Sequence, residues 1–258
     1  MFSISRISSC GATVVLALLL LGGPLVRPAA AANFNVNPTQ VFLSSKATSA
    51  LVTVRNDSAE PLRFQLSVFA WEQSPSGELE LTPTDDIVFF PALLTLNPKE
   101  ERRVRVGRVT APGEREKTYR IFIEEMPPLQ AVGTSGGNGV QVLTKMGVPV
   151  FVRPAREAAT AALSNVEQHA GEVHFTLSNS GTVHFVPNQV TVRGLAGENT
   201  VFEQKLNGWY VLAGGHRDFT VAVPKDDCAR VKSIVIEAAV NGSKLTQTID
   251  APAGACAQ

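Results

Sequence analysis

An all-β fold built as two sandwich domains is predicted by three observations on the 258-residue chain. Past Asn33 almost no segment sustains a helical period. Short alternating or β-branched runs recur instead, and turn residues separate them at regular intervals. In chain order the runs are Ala50–Val54, Phe64–Phe69, Arg103–Val106, Tyr119–Ile123 and a long one over Val140–Val152. The second half continues with Val173–Leu177, Val190–Val192, Phe219–Val223 and Ile234–Ile236. Between them lie Asn56-Asp57, Pro83-Thr84-Asp85-Asp86, Asn97-Pro98-Lys99, Ser178-Asn179-Ser180-Gly181 and Asn241-Gly242, each rich in residues that tolerate turn geometry. About seven strands per half is the spacing expected of two immunoglobulin-like sandwiches. The long strand ends at Arg153-Pro154 and small polar residues follow. Domains are therefore expected over 33–153 and 154–258, with 133–139 as a Gly-rich hairpin loop within the first.

Residues 1–32 carry a different signal. Arg6 precedes an apolar run from about Gly11 to Val26, and Arg27-Pro28 leads into the small-residue string Ala29–Ala32. A basic start, a short apolar core and an Ala-x-Ala site make a cleavable secretory signal, and a membrane span would need about 20 apolar residues. Export to the periplasm is expected. Removing the segment takes away Arg6, Arg27 and Cys10, which leaves 21 basic against 23 acidic residues, a charge of −2. So small a charge excludes a protein that binds nucleic acid through counterion release. Two cysteines remain, Cys228 and Cys256. An even count in an exported chain suits a disulfide, and two free thiols near the C-terminus are the alternative.

Chemistry-bearing motifs are absent. His169, His174, His184 and His216 are scattered without ligand spacing, and no Cys/His cluster suggests a metal. Residues 133–139 lack the Lys-Ser/Thr and following helix of a phosphate loop. No nucleophile–base set can be assembled, so no enzyme, cofactor or metal is expected. The remaining classes are a binding protein and a secreted sandwich adhesin or surface component. An adhesin should carry a donor extension or an incomplete final strand, whereas the first domain carries a complete, long one.

Several blocks of the first half coincide in order: Asn37-Pro38-Thr39-Gln40-Val41-Phe42, Leu51–Asn56, Leu94-Thr95-Leu96-Asn97-Pro98, Arg103–Val106, Glu116–Pro128, and Val140 through Pro149-Val150-Phe151-Val152-Arg153-Pro154. This set resembles the PapD-like periplasmic chaperones of chaperone–usher pilus assembly. The resemblance covers the first domain well and the second only in general β pattern. It implies two immunoglobulin-like domains set as an L or boomerang around a cleft. It also implies a non-catalytic function: the chaperone binds a pilus or fimbrial subunit whose own fold lacks a strand, lends it one by donor-strand complementation, prevents its aggregation and delivers it to an outer-membrane usher. The free chaperone is expected to hide the lent strand by self-association.

Strand period two selects the residues that would enter the subunit's groove. The even positions of the long run are Val140, Val142, Thr144, Met146 and Val148; the odd positions are Gln141, Leu143, Lys145 and Gly147. The apolar even set is the expected donor face. The family's two cleft cations, which hold the subunit's C-terminal carboxylate, fall here on Gln40 and Pro149, and neither is charged. That departure resembles the archaic, spore-coat-U-associated branch. Lys145 and Arg105 become the substitute anchors, with Gln40 as an auxiliary donor. Glu116 and Arg153 correspond to members of an interdomain salt-bridge network, for which Asp226 or Asp227 is the expected third partner.

Overall fold

The computed structural model describes residues 33–128, 142–252 and 254–256. Seventeen strands and one helical turn make up the secondary structure of these residues. The first half comprises β1 (Phe34–Asn37), β2 (Val41–Leu43), β3 (Ser49–Asn56), β4 (Leu62–Gln73), β5 (Leu79–Pro83), β6 (Ile87–Phe90), β7 (Leu93–Leu96), β8 (Glu101–Arg108), β9 (Lys117–Glu125) and β10 (Lys145–Val152). They form two facing sheets, one of order β1-β3-β8-β6 and one of order β2-β10-β9-β4-β5 with β7 paired to β4. The second half comprises β11 (Ala161–His169), β12 (Glu172–Asn179), β13 (Gln189–Ala196), β14 (Asn199–Asn207), β15 (His216–Ala222), the turn α1 (Lys225–Cys228), β16 (Ser233–Val240) and β17 (Ser243–Asp250). Its sheets run β11-β12-β15 and β14-β13-β16-β17.

The alternation read from sequence becomes the inside and outside of these sheets. In β9, Tyr119, Ile121 and Ile123 enter the first core with Val148 and Val150 of β10; Val52 and Val104 enter from the opposite sheet. The second core is built the same way from Val173, Phe175, Leu177, Val190, Val192, Ile234 and Ile236. Buried asparagines pin a turn in each half. The Asn56 amide donates to the carbonyls of Glu60, Leu96 and Asn97, and the Asn179 amide to those of Val183 and Val211. Asn241 and Gly242 both take positive φ, 49° and 79°, between β16 and β17. This is the two-residue hairpin geometry that an Asn-Gly pair favours.

One expectation changes in extent. The long strand over 140–152 begins only at Lys145; residues 142–144 precede it outside the strand, with Thr144 still tied to the end of β9 by the Glu125 N–H, which donates to its carbonyl at 2.9 Å. The signal segment, Val140 and the loop 133–139 lie outside the described residues. A third apolar cluster, Trp71 and Phe151 from the first half with Tyr210 and Leu212 from the second, packs the halves together.

Candidate functional site: an open strand edge beside a buried cation

β10 is where the first half presents an unfilled edge. β9 pairs along all of it, from Lys145↔Glu124 to Val152↔Lys117, but β2 covers only Val150, Phe151 and Val152 on the other side. Among the described residues Lys145–Pro149 therefore keep one side free for another strand, an arrangement that invites pairing by a second chain. Val142 and Leu143, just before the edge, are 57% and 41% exposed.

The even positions divide between two tasks, which corrects the expected donor set. Val148 is 1% exposed, and Met146 packs against the same core. Both belong to the chain's own sandwich, because β9 draws β10 into the sheet from Lys145 onward. Val142 and Thr144 lie ahead of that point on the same alternation and do not belong to this core, so of the described even positions they are the ones left as candidates for a donor face. Val148→Ala is accordingly expected to destabilise the free protein by about 1–3 kcal/mol through a core cavity. Val142→Ala should change stability by less than about 0.5 kcal/mol. Paired urea melts check both.

The odd positions of β10 and the even positions of β9 face outward, where the second half covers their far end. Arg120, the register partner of Pro149, lies there and is only 7% exposed. Its guanidinium carbon sits 4.3 Å from the Trp71 ring centroid and 5.6 Å from that of Trp209. Its Nε is buried without a partner, and among the described residues Arg120 forms no hydrogen bond and no ion pair. Burial lowers its pKa, partly opposed by Tyr210. Beside it the Gln40 amide donates to the Tyr210 hydroxyl at 2.6 Å. Burial raises the pKa of Tyr210, so this phenol is a neutral wall group. A buried guanidinium flanked by indoles, with no anion beside it among the described residues, can accept a carboxylate in bidentate fashion.

The expected anchors are placed differently. Gln40 does lie in the cleft. Lys145 stands at the other end of the edge, paired with Glu124 at 3.0 Å and over the Phe122 ring at 4.8 Å. Arg105 is on β8 in the opposite sheet, where it donates to Ser49, and this takes it out of the cleft. Arg120 escaped detection because an arginine at an outward strand position reads as solvated; nothing local shows that a second domain covers it.

The expected salt-bridge triad also resolves into separate contacts. Glu116 keeps an interdomain role, but its partner is His184, whose backbone N–H (3.0 Å) and ring Nδ1 (2.5 Å) both meet Glu116 Oε2. The imidazole in turn stacks on Phe151 of β10, ring centroids 3.9 Å apart. Arg153 pairs with Glu157, four residues on, at 3.3 Å and lies over Phe42. Asp227 sits in α1 and pairs with Arg230. Next to it Cys228 is bonded to Cys256.

Residues 33–158 match the family model of the pili and flagellar-assembly chaperones, PapD N-terminal domain. The first domain of the chain belongs to this chaperone family. The chain's solved structural relatives carry the same two-domain fold. A chain of the CsuC–CsuE chaperone–tip adhesion subunit pre-assembly complex, from archaic Csu pili of Acinetobacter baumannii, is 15% identical; the match covers 84% of this chain and 98% of that one at a TM-score of 0.58. A chain of the Salmonella enterica SafA pilin–SafB chaperone complex is 16% identical, with 85% and 98% covered at 0.56. The Pseudomonas aeruginosa CupB2 chaperone is 14% identical, with 84% and 100% covered at 0.53. No curated protein matches the chain. The pilus chaperones of this family are non-enzymatic and periplasmic, and the matched domain is that of a pilus-assembly chaperone; the two complexes named above hold such chaperones with a tip adhesion subunit and with a pilin.

Proposed function

We propose that the chaperone holds its subunit by lending the segment from about Val140 to Pro149, with the subunit's C-terminal carboxylate seated on Arg120. The observation that carries this reading is the adjacency of two unfilled features. The free edge of β10 runs toward Pro149, and its register neighbour Arg120 is a buried cation without an anion. A subunit strand paired along that edge ends in a carboxylate, which supplies the missing charge. Gln40, through Tyr210, shapes the pocket rather than carrying the charge. Val142 and Thr144, preceded by Val140, are the residues placed to enter the groove.

In this reading residues 1–32 are a cleaved export signal, and the mature chain divides at 153–154 into its two domains. An outer-membrane usher receives the subunit when the next subunit's extension replaces the lent strand. The neutral residues at Gln40 and Pro149 favour the archaic branch. Without a subunit, the exposed Val142 and Leu143 favour pairing of two chaperone edges. Mass spectrometry of what co-purifies with a tagged periplasmic copy tests the function. A small β-rich subunit is expected with wild type and much less of it with Val142→Asp; repeated recovery of the chaperone alone, with its pilus genes expressed, overturns the reading.

A further inference from the structure

Between β4 and β5 the first domain reaches across to the second at a point outside the cleft. The turn is tight: Gly77 N–H donates to the Ser74 carbonyl at 2.8 Å, and Gly77 has φ +88°. The Pro75 carbonyl accepts a hydrogen bond from the backbone N–H of Asp218 in β15, also at 2.8 Å. Arg217 lies under the turn. A Cβ built on Gly77 would meet its guanidinium at 2.4–2.6 Å, so a side chain there, besides straining the positive φ, would push the guanidinium from its place. The Arg217 Nε is buried without a partner, and the guanidinium carbon is 5.0 Å from the Phe219 ring centroid. Burial lowers its pKa. Among the described residues Arg217 has no ion pair, and packing against the turn and Phe219 holds it.

We infer that this turn is a positioning device for the cleft, holding Trp71 and Tyr210 at the spacing that frames Arg120. The connection runs through two short pieces of chain. Trp71 lies on β4, three residues before Ser74. Trp209 and Tyr210 lie a few residues before β15. Docking the turn on β15 thus ties together the two segments whose aromatic rings wall the pocket, with Trp71 and Tyr210 edge to face at 5.2 Å. On the far side the Glu116–His184 contact closes the same domain junction. Two contacts on separate elements restrain rotation about either one alone. The cleft is preformed, so less ordering accompanies subunit binding.

The inference rests on the carboxylate reading of Arg120, and its test separates the two. The chain's two tryptophans, Trp71 and Trp209, both lie at this pocket. Their fluorescence in the free chaperone therefore reports on the pocket without any subunit. Gly77→Ala should raise acrylamide quenching of tryptophan by roughly twofold, with unchanged far-UV circular dichroism, and weaken subunit capture about tenfold, equivalent to ~1.4 kcal/mol. Arg217→Met, which keeps the stem and removes the guanidinium, provides a second variant should Gly77→Ala fold poorly, and is expected to shift quenching in the same direction. Quenching equal to wild type in the folded variants overturns the positioning role. Increased quenching with unchanged subunit capture also overturns it, by uncoupling the turn from the site. If only the carboxylate reading fails, Arg120→Met captures subunit normally while the quenching change persists.

Discussion

Arg120→Met is expected to cut subunit affinity by about 2–5 kcal/mol, a factor of roughly 30 to several thousand, without a matching loss of stability in the free chaperone. The two effects separate in the proposed carboxylate reading because, among the described residues, the guanidinium has no hydrogen-bonding partner or anion in the free protein. In the free chaperone its charge is buried at a desolvation cost, offset by cation–π attraction to Trp71 at 4.3 Å, an interaction of about 0.5–2 kcal/mol. Met fills the same space and removes both terms. In the complex, the same substitution leaves the subunit's carboxylate buried opposite no cation. Arg120→Lys should fall between, since an ammonium restores charge but not the planar fork. Thermal melts of the free variants alongside subunit capture measure both quantities. A large stability loss with normal capture would assign Arg120 to packing alone.

Cys228→Ser with Cys256→Ser is expected to destabilise the second domain by about 2–5 kcal/mol. The crosslink spans 28 residues of sequence, for which loop entropy alone predicts about 3–4 kcal/mol. It ties α1 to the C-terminal tail, and the tail in turn caps the β11–β12 hairpin, where Gly171 N–H donates to the Ala255 carbonyl at 2.6 Å. Cys228 is part of the second core, so loosening it reaches Val223 and Val231 beside it. Urea melts with and without dithiothreitol provide the check: reductant should shift the wild type to the position of the serine variant. Coincident curves for all samples would mean that the tail contributes nothing to stability.

Legibility in the sequence followed the range of the interactions involved. The strand runs of the first half were readable because inward and outward residues alternate within one strand, a property of the backbone pleat. Asn241-Gly242 announced its hairpin for an equally local reason, the positive φ at both positions. The donor segment was readable as a region but not in its division of labour. Period two puts Val142 and Val148 on one face, and only the pairing of β9 from Lys145 onward decides that Val148 belongs to the chaperone's own core. Lys145 and Arg105 stand out in the sequence by their charge alone, which says nothing about the sheet on which a cation sits.

By itself the sequence determined the all-β class, the ordered blocks that mark the chaperone family, and the absence of cations at Gln40 and Pro149. These are properties of neighbouring residues or of position along the chain. The tertiary structure alone decided that Arg120 is buried, that Glu116 meets His184 rather than Arg153 and Asp227, and that a turn at Gly77 rests on Arg217. Each of these depends on the second domain approaching the outer face of the first. Burial is set by which surfaces meet, and a residue's exposed position within its own strand carries no information about what another domain will place over it.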